Sequence, residues 1–412
     1  EILIGLVGSE MCIRDRTNTV KNKKYIVKYK AINIYKRENV MKRIYNYLKK
    51  DAVLTISWVL AIISMLFIKP DKAYAGYIDW RSLGILWSLM IITKGYMQNG
   101  IFEKIGHALL ARTRKMWQLI AVLVGLNFFS SMIITNDVSL ITFVPFAIMM
   151  LKQCGRQELM IPVVVLQTIA ANLGSMLTPI GNPQNLYLHG LAGTGIGEFI
   201  MWLLPYTIAS ALLLVISILL IKNKNEIICI EDTDSEAAHN TSVPRVMAYS
   251  VLFVLALLVV ARVLTWYILA AAVLITVLLL EKNVLAKADY ALLLTFIGFF
   301  IFTGNMGRVE PVAHFLAGIV NGWELEAGII TSQCISNVPA ALLLSEFTDN
   351  IKNLAIGVNI GGLGTLIASM ASLISYKLYA NEVPEKKGKY FAAFTVYNII
   401  FLVVLYVFTK LI

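Results

Sequence analysis

The chain has 412 residues, of which 58% are hydrophobic and only 15% charged, with a formal net charge of +11. Uncharged runs such as 202–221 and 263–280 have the length that carries a helix across a bilayer, so the composition excludes a soluble globular enzyme or module. Nine of the surplus positive charges fall in residues 1–50. The rest of the chain therefore has no basic character calling for nucleic acid, and no nucleic-acid partner is expected.

Residues 1–40 lack amphipathic order. The stretch GLVGSEMCIRDR at 5–16 resembles translated adapter sequence, and the Lys/Asn/Ile/Tyr run after it an AT-rich upstream region. We read 1–40 as a non-native or disordered N-terminal extension, against the alternative of a basic arm, and Met41-Lys42-Arg43 as a natural start. No cleavable signal peptide follows, so the first apolar segment is read as a retained helix.

Apolar spans then fall at 52–68, 81–98, 116–151 (a doublet), 159–188, 198–221, 246–262, 264–280, 288–306, 327–348, 353–377 and 390–410, with amphipathic stretches at 101–115 and 307–320. Arg262 marks the turn between two of them. Trp80, Trp202 and Tyr206 read as interfacial anchors, and Lys94 as a residue snorkelling from the cytoplasmic end of its span. The acidic residues between 226 and 236 read as a solvated linker. Asn240-Thr241-Ser242 carries no weight as a glycosylation signal. The Gly193–Gly197 cluster reads as a turn, lacking the lysine of a phosphate loop. Four cysteines show no metal or redox spacing, and Cys334 reads as a packed core thiol.

Polar sequence interrupts these spans at matched positions. Thr135-Asn136-Asp137 is followed by Asn172-Leu173-Gly174 and by Thr178-Pro179-Ile180-Gly181-Asn182-Pro183. Ser336-Asn337-Val338 is followed by Asn359-Ile360-Gly361 and by Thr365-Leu366-Ile367-Ala368-Ser369. The Asn172 and Asn359 segments align without gaps at an offset of 187. Unpaired backbone groups are costly in hydrocarbon, so such breaks survive only where they line a cavity. Paired breaks in two halves point to the binding site of a secondary transporter.

Putting the Lys/Arg-rich loops inside collects 19 of these residues on one side against 7 on the other, which favours a cytoplasmic N-terminus. That arrangement closes only if 116–151 and 327–348 each leave and re-enter on one side, from opposite faces. The nine steps from Asn337 to Glu346 span about 14 Å at about 1.5 Å per residue, too short to cross. Both segments are read as re-entrant hairpins with tips at Asn136 and Asn337 near the midplane. The expected fold is an all-α polytopic membrane protein with two inverted repeats, each holding a re-entrant helical hairpin and a broken transmembrane helix. Residues 41–225 form the first repeat with its N-terminal helix, 226–287 the linker and connecting helices, and 288–412 the second repeat.

Helices restart after Asn136, after Asn182-Pro183, after Asn337 and after Ser369. Their free N–H groups favour an anion, and the carbonyls of the legs that end there suit a hard cation. Pro183 fits a first helical turn. These residues resemble the ion transporter superfamily: the divalent anion:sodium symporters and their relatives, the arsenite permeases, citrate transporter-like permeases and proton antiporters. The resemblance covers about 41–412. It implies that Thr135-Asn136-Asp137 and Ser336-Asn337-Val338 match the family's Ser-Asn-Thr tips. By the same carry-over, Ser131 and Ser332 supply hydroxyls to Na⁺, and Gly181-Asn182-Pro183 and Ala368-Ser369 supply ion and solute contacts. On it the solute is held by Asn136, Asp137, Asn182, Pro183, Ser336, Asn337 and Ser369, and the coupling ion by Ser131, Thr135, Asn136, Asp137, Gly181, Ser332, Asn337 and Ala368. It further implies a homodimer with elevator-like motion.

Asp137 and Val338 depart from that pattern, since the symporters have threonine at both; arsenite-type and related permeases look like they carry Asn-Asp at the first, which weakens a dicarboxylate assignment. Asp137 either faces water beside a cation, exchanges protons during the cycle, or serves as an N-cap. The expected function is a secondary active transporter of a small anion (a dicarboxylate, citrate or an inorganic oxyanion) in a bacterial or archaeal cytoplasmic membrane. It is coupled to Na⁺ or H⁺ and needs no cofactor. Arsenite efflux and Na⁺/H⁺ exchange are the alternatives, with an ion channel behind them. No nucleophile–base pair, metal cluster or paired carboxylate lies among the breaks, so no enzymatic activity is expected.

Overall fold

The computed structural model describes residues 52–110, 113–221 and 242–412. Two compact units divide the chain, residues 1–56 and 57–412. Of the first, only 52–56 are described, within helix α1 (Ala52–Phe67). The readings of residues 1–40, of the acidic linker, of Asn240-Thr241 and of Lys42, Arg43, Lys49, Lys50, Arg112, Lys222 and Lys224 lie outside the described residues.

Every regular element among the described residues is a helix. The first half of the second unit comprises α2 (Trp80–Gln98), α3 (Ile101–Leu110), α4 (Met116–Ser130), α5 (Asn136–Gln153), α6 (Met160–Ser175), α7 (Pro183–Ala192) and α8 (Ile196–Leu220). Two connecting helices follow, α9 (Val243–Val260) and α10 (Trp266–Leu280). The second half holds α11 (Tyr290–Gly307), α12 (Glu310–Val320), α13 (Glu324–Ile335), α14 (Asn337–Leu344), α15 (Ile351–Ile360), α16 (Met370–Glu382) and α17 (Lys387–Thr409). Among the described residues, five helical segments are long and apolar enough to cross a membrane, from Gln157–Ser175 to Pro384–Thr409. The molecule is an all-α polytopic membrane protein.

The two halves use the same local devices. Asp79 caps α2 by accepting from Ser82 N, and Asp289 caps α11 by accepting from Leu292 N. Each satisfies a donor that a helix start leaves free. The hairpin legs α4 and α13 pack most extensively against the first parts of the broken helices, α6 and α15. Glycine permits the approach in both. A Cβ on Gly174 would collide with the Phe128 carbonyl and lie 2.6 Å from Ser131 Oγ; one on Gly361 would lie 2.8 Å from Ile329 Cα and 3.0 Å from Ser332 Cβ.

Helix lengths differ between the halves. Helix α5 has 18 residues, about 27 Å at about 1.5 Å per residue, whereas α14 has 8, about 12 Å. The length argument for a leg too short to cross therefore applies to the second hairpin alone.

Four salt bridges join chain segments distant in sequence: Lys152–Glu382 at 2.6 Å, Arg245–Glu281 at 2.9 Å, Arg308–Asp71 at 2.8 Å and Lys410–Glu326. Thr348 Oγ1 also donates to Glu324 Oε1 at 3.1 Å, closing the mouth of the second hairpin. Two side-chain readings change. Tyr206 is buried edge-on against Phe408, not interfacial. Cys334 is exposed and free, so it is not a core thiol. Lys94 is half-buried, with Nζ 3.9 Å from Met97 Sδ, and it also lines a cavity.

Candidate solute site

The helices restart where the sequence indicates: α5 at Asn136, α7 at Pro183 behind its cap Asn182, α14 at Asn337 and α16 at Met370 behind Ser369. Each hairpin tip is tied to the broken helix beside it by one backbone bond. Asn136 N donates to Gly181 O at 3.1 Å, and Asn337 N donates to Ala368 O at 2.9 Å. A second pair of bonds runs between the same elements. Thr178 Oγ1 donates to Met132 O, and Thr365 Oγ1 donates to Gln333 O at 3.3 Å.

Two buried asparagines sit at the centre. Asn172 Oδ1 accepts from Asn136 Nδ2 at 3.2 Å and Ser369 Oγ at 3.0 Å, while its Nδ2 donates to Ser372 Oγ at 3.1 Å and Gly362 O at 3.4 Å. Asn359 Oδ1 accepts from Asn182 Nδ2 at 3.1 Å, while its Nδ2 donates to Asn185 Oδ1 at 2.6 Å and Ala355 O at 2.7 Å. Shifting Asn172, Asn182 and Asn185 by 187 gives Asn359, Ser369 and Ser372. The first half's asparagine thus bonds the second half's helix start, and the second half's asparagine bonds the first half's. Such carboxamides, with two donors and one acceptor oxygen, can serve either an ion or an oxygen-rich solute.

Ser131 and Ser332 are fully buried at equivalent positions. Their hydroxyls donate to Phe128 O at 3.0 Å and Gly328 O at 2.7 Å, which leaves their lone pairs for a cation. The tips are not equal in strain. Ser336 has φ 77 and ψ 154, a region nearly reserved for glycine, whereas Thr135 is ordinarily extended at φ −62 and ψ 149. Ser336 Oγ lies 3.5 Å from both Asn337 Oδ1 and Ala368 O.

Asp137 does not cap α5. The cap position belongs to Thr135, and Asp137 N donates to Asn136 Oδ1 at 3.0 Å. Its carboxylate instead lines a cavity of about 80 Å³ with Thr135, Pro183, Lys94 from α2 and Asp289 from the start of α11. Ser336, Asn337 and Ser369 are not part of that wall. The singled-out residues therefore fall into two groups, an asparagine–serine network and a charged cavity beside Asn136.

Asn172, Asn185, Asn359 and Ser372 are absent from the sequence-derived site, although the alignment at an offset of 187 ran through two of them. Lys94 and Asp289 were signalled only by being charges inside or at the end of matched apolar spans. Among the described residues no cluster of His, Cys, Asp and Glu could hold a metal ion.

A family model described as citrate transporter matches residues 44–352. The chain belongs to that family. An uncharacterized transporter of Methanocaldococcus jannaschii is 31% identical over 361 residues, covering 87% of this chain and 97% of the relative. The inner membrane protein YbiR of Escherichia coli is 30% identical over 345 residues, 79% of this chain and 87% of its own. The silicon efflux transporter LSI3 of rice is 30% identical over 152 residues, 36% of this chain and 30% of its own. Family membership and these names support a membrane permease.

Proposed function

We propose that the protein is a secondary active transporter moving a small anion, a dicarboxylate, citrate or an inorganic oxyanion, across a bacterial or archaeal cytoplasmic membrane, coupled to Na⁺ or H⁺. The observation that carries this reading is the reciprocal bonding of Asn172 and Asn359 at paired helix starts. Two halves that exchange equivalent contacts behave as repeats, and breaks at a repeat interface are where transporters hold their solutes.

The long-range ion pairs support the inverted arrangement with a cytoplasmic N-terminus. Lys152–Glu382 and Arg245–Glu281 join segments assigned to the inside by their Lys/Arg content, and Arg308–Asp71 and Lys410–Glu326 join segments assigned to the outside. On this assignment the first hairpin opens inward and the second outward. Ser131, Thr135, Asn136, Asp137 and Gly181 in one half, and Ser332, Asn337 and Ala368 in the other, then surround the coupling ions. Asn136, Asp137, Asn182, Pro183, Ser336, Asn337 and Ser369 meet the solute. A homodimer with elevator-like motion completes the proposal.

A second reading, efflux of arsenite or a like solute or exchange of Na⁺ for H⁺, is favoured by the cavity at Asp137. The cavity is small, about 80 Å³, and its wall carries two carboxylates beside one ammonium. That environment suits a small uncharged hydroxy acid or a proton better than a dianion, and the silicon efflux name of the rice relative agrees with it. Proteoliposome flux of dicarboxylates, citrate, sulfate and arsenite, under imposed Na⁺ and pH gradients, decides between the two. Uptake of a carboxylate or sulfate driven by either gradient supports the first; flux of arsenite alone, or proton movement driven by Na⁺ without any solute, supports the second; neither solute flux nor Na⁺-driven proton movement overturns both.

A further inference from the structure

The end of α7 holds polar groups that the central site does not use. His189 is 1% exposed, and neither ring nitrogen makes a well-formed hydrogen bond among the described residues, the nearest backbone partner being at Thr194. A neutral imidazole carries one N–H donor and one acceptor, and leaving either buried and unpaired is costly. Thr194 Oγ1 is likewise buried without a partner.

Two arginines converge on the same segment. Arg262 Nη2 donates to Gly190 O at 3.1 Å and His189 O at 3.4 Å, leaving Nη1 3.6 Å from where a Cβ would sit on Gly193. Arg81 Nη2 donates to Val259 O at 3.2 Å and Val260 O at 3.5 Å, with Nη1 3.3 Å from the corresponding point on Gly190. Each guanidinium is anchored by one arm on the carbonyls that end a helix, and its other arm faces the 190–194 turn. Arg262 adopts this pose at φ +63, a backbone strain that persists only where the surroundings enforce it. Among the described residues, Asp79 brings a carboxylate to this turn. Its Oδ1 accepts from Ser82 N, its Oδ2 from Ser82 Oγ, and Oδ2 is 3.8 Å from the Gly190 point. Two guanidiniums against one carboxylate leave the cluster positive.

We propose that His189, Thr194, Arg81 and Arg262 form a second binding site, separate from the asparagine network, for the oxyanion of a phosphate group. Two free guanidinium arms, a hydroxyl and an imidazole N–H supply donors in excess of acceptors, which is the complement of a tetrahedral oxyanion. The phosphate is either free in solution or the headgroup of a phospholipid.

The test uses the full-length protein purified in phosphate-free detergent. Equilibrium dialysis with radiolabelled inorganic phosphate is paired with thermal unfolding in phosphate against chloride at equal ionic strength, and a parallel arm adds phosphatidylglycerol. A ligand of the folded state raises the midpoint as its concentration rises. The expected result is phosphate binding and a raised midpoint that Arg262→Gln and His189→Phe abolish and Asn337→Ala retains. His189→Phe keeps the ring's packing on Phe199, 5.5 Å away, so it guards against loss of fold in the arginine variant. A response to phosphatidylglycerol alone, lost in the same two variants, identifies the headgroup as the source. No response to either probe, or one that His189→Phe and Arg262→Gln keep, overturns the proposal.

Discussion

Asn172 and Asn359 each bond the helix start that lies in the opposite half: Asn172 reaches Ser369 and Ser372, and Asn359 reaches Asn182 and Asn185. The exchange makes the centre a single cooperative unit. Asn172→Ala orphans Asn136 Nδ2 and the Gly362 carbonyl together, at about 1–3 kcal/mol for each buried group left unpaired. We predict a lowered thermal midpoint and loss of transport in Asn172→Ala and in Asn359→Ala alike. Reconstituted variants with wild-type flux contradict the central role.

Gly174 and Gly361 stand at the same offset and let each broken helix touch its hairpin. Alanine at Gly174 drives a methyl group into the Phe128 carbonyl, where backbone must move, and overpacking of this kind costs about 1–3 kcal/mol. Gly174→Ala is predicted to be more damaging than Gly361→Ala, whose tightest contact is 2.8 Å. Detergent-solubilised yield and unfolding midpoint rank the two.

Much of this architecture was legible because polar breaks inside apolar sequence are rare and costly, so Asn136, Asn182-Pro183, Asn337 and Ser369 marked helix starts directly. The alignment at an offset of 187 likewise marked Asn172 and Asn359, but nothing in one dimension shows that a carboxamide bonds across to the other half. Lys94 shows a related limit. A lysine near the end of a span has the same sequence signature whether it only reaches toward the headgroups or also lines a cavity shared with another helix. Cys334 and Tyr206 show the same limit, since which side of an apolar helix meets lipid is set by neighbours distant in the chain.

Ser336 pays for its position at the second hairpin tip with a backbone conformation suited to glycine. Ser336→Gly should relieve about 1–3 kcal/mol of strain, less the freedom glycine gains in the unfolded chain. The same change removes a hydroxyl from the tip. We predict a midpoint equal to or above wild type together with slower transport; a destabilised and fully active variant reverses both expectations.

Outside the spans, the Arg308 guanidinium hydrogen-bonds Asp71 and holds its carboxyl below the usual carboxylate range. A group depressed in the folded state stabilises it above the ordinary carboxylate value, about 3.9, and that contribution fades as pH falls through the folded value. Both side chains are well exposed, so the effect is small and weakened by salt. Arg308→Gln should therefore shed slightly less stability than wild type on acidification below pH about 4, and the difference should shrink in high salt. Unfolding midpoints across pH at two salt concentrations check this.

Asp137 and Lys94 share a cavity of about 80 Å³ with Asp289, and no hydrogen bond to the Asp137 carboxylate is found among the described residues. Charges that share a cavity depend on one another, because removing one member leaves the others less compensated. Asp137→Asn should flatten the pH dependence of flux if this carboxylate carries the coupling proton, while leaving the asparagine network intact. Lys94→Met alone should be more harmful than Lys94→Met combined with Asp137→Asn, since the double variant leaves only the exposed Asp289 charged on that wall. An additive double-mutant cycle in proteoliposome flux, with the pH profile of Asp137→Asn unchanged, removes the pair from the transport cycle and leaves the asparagines to carry it.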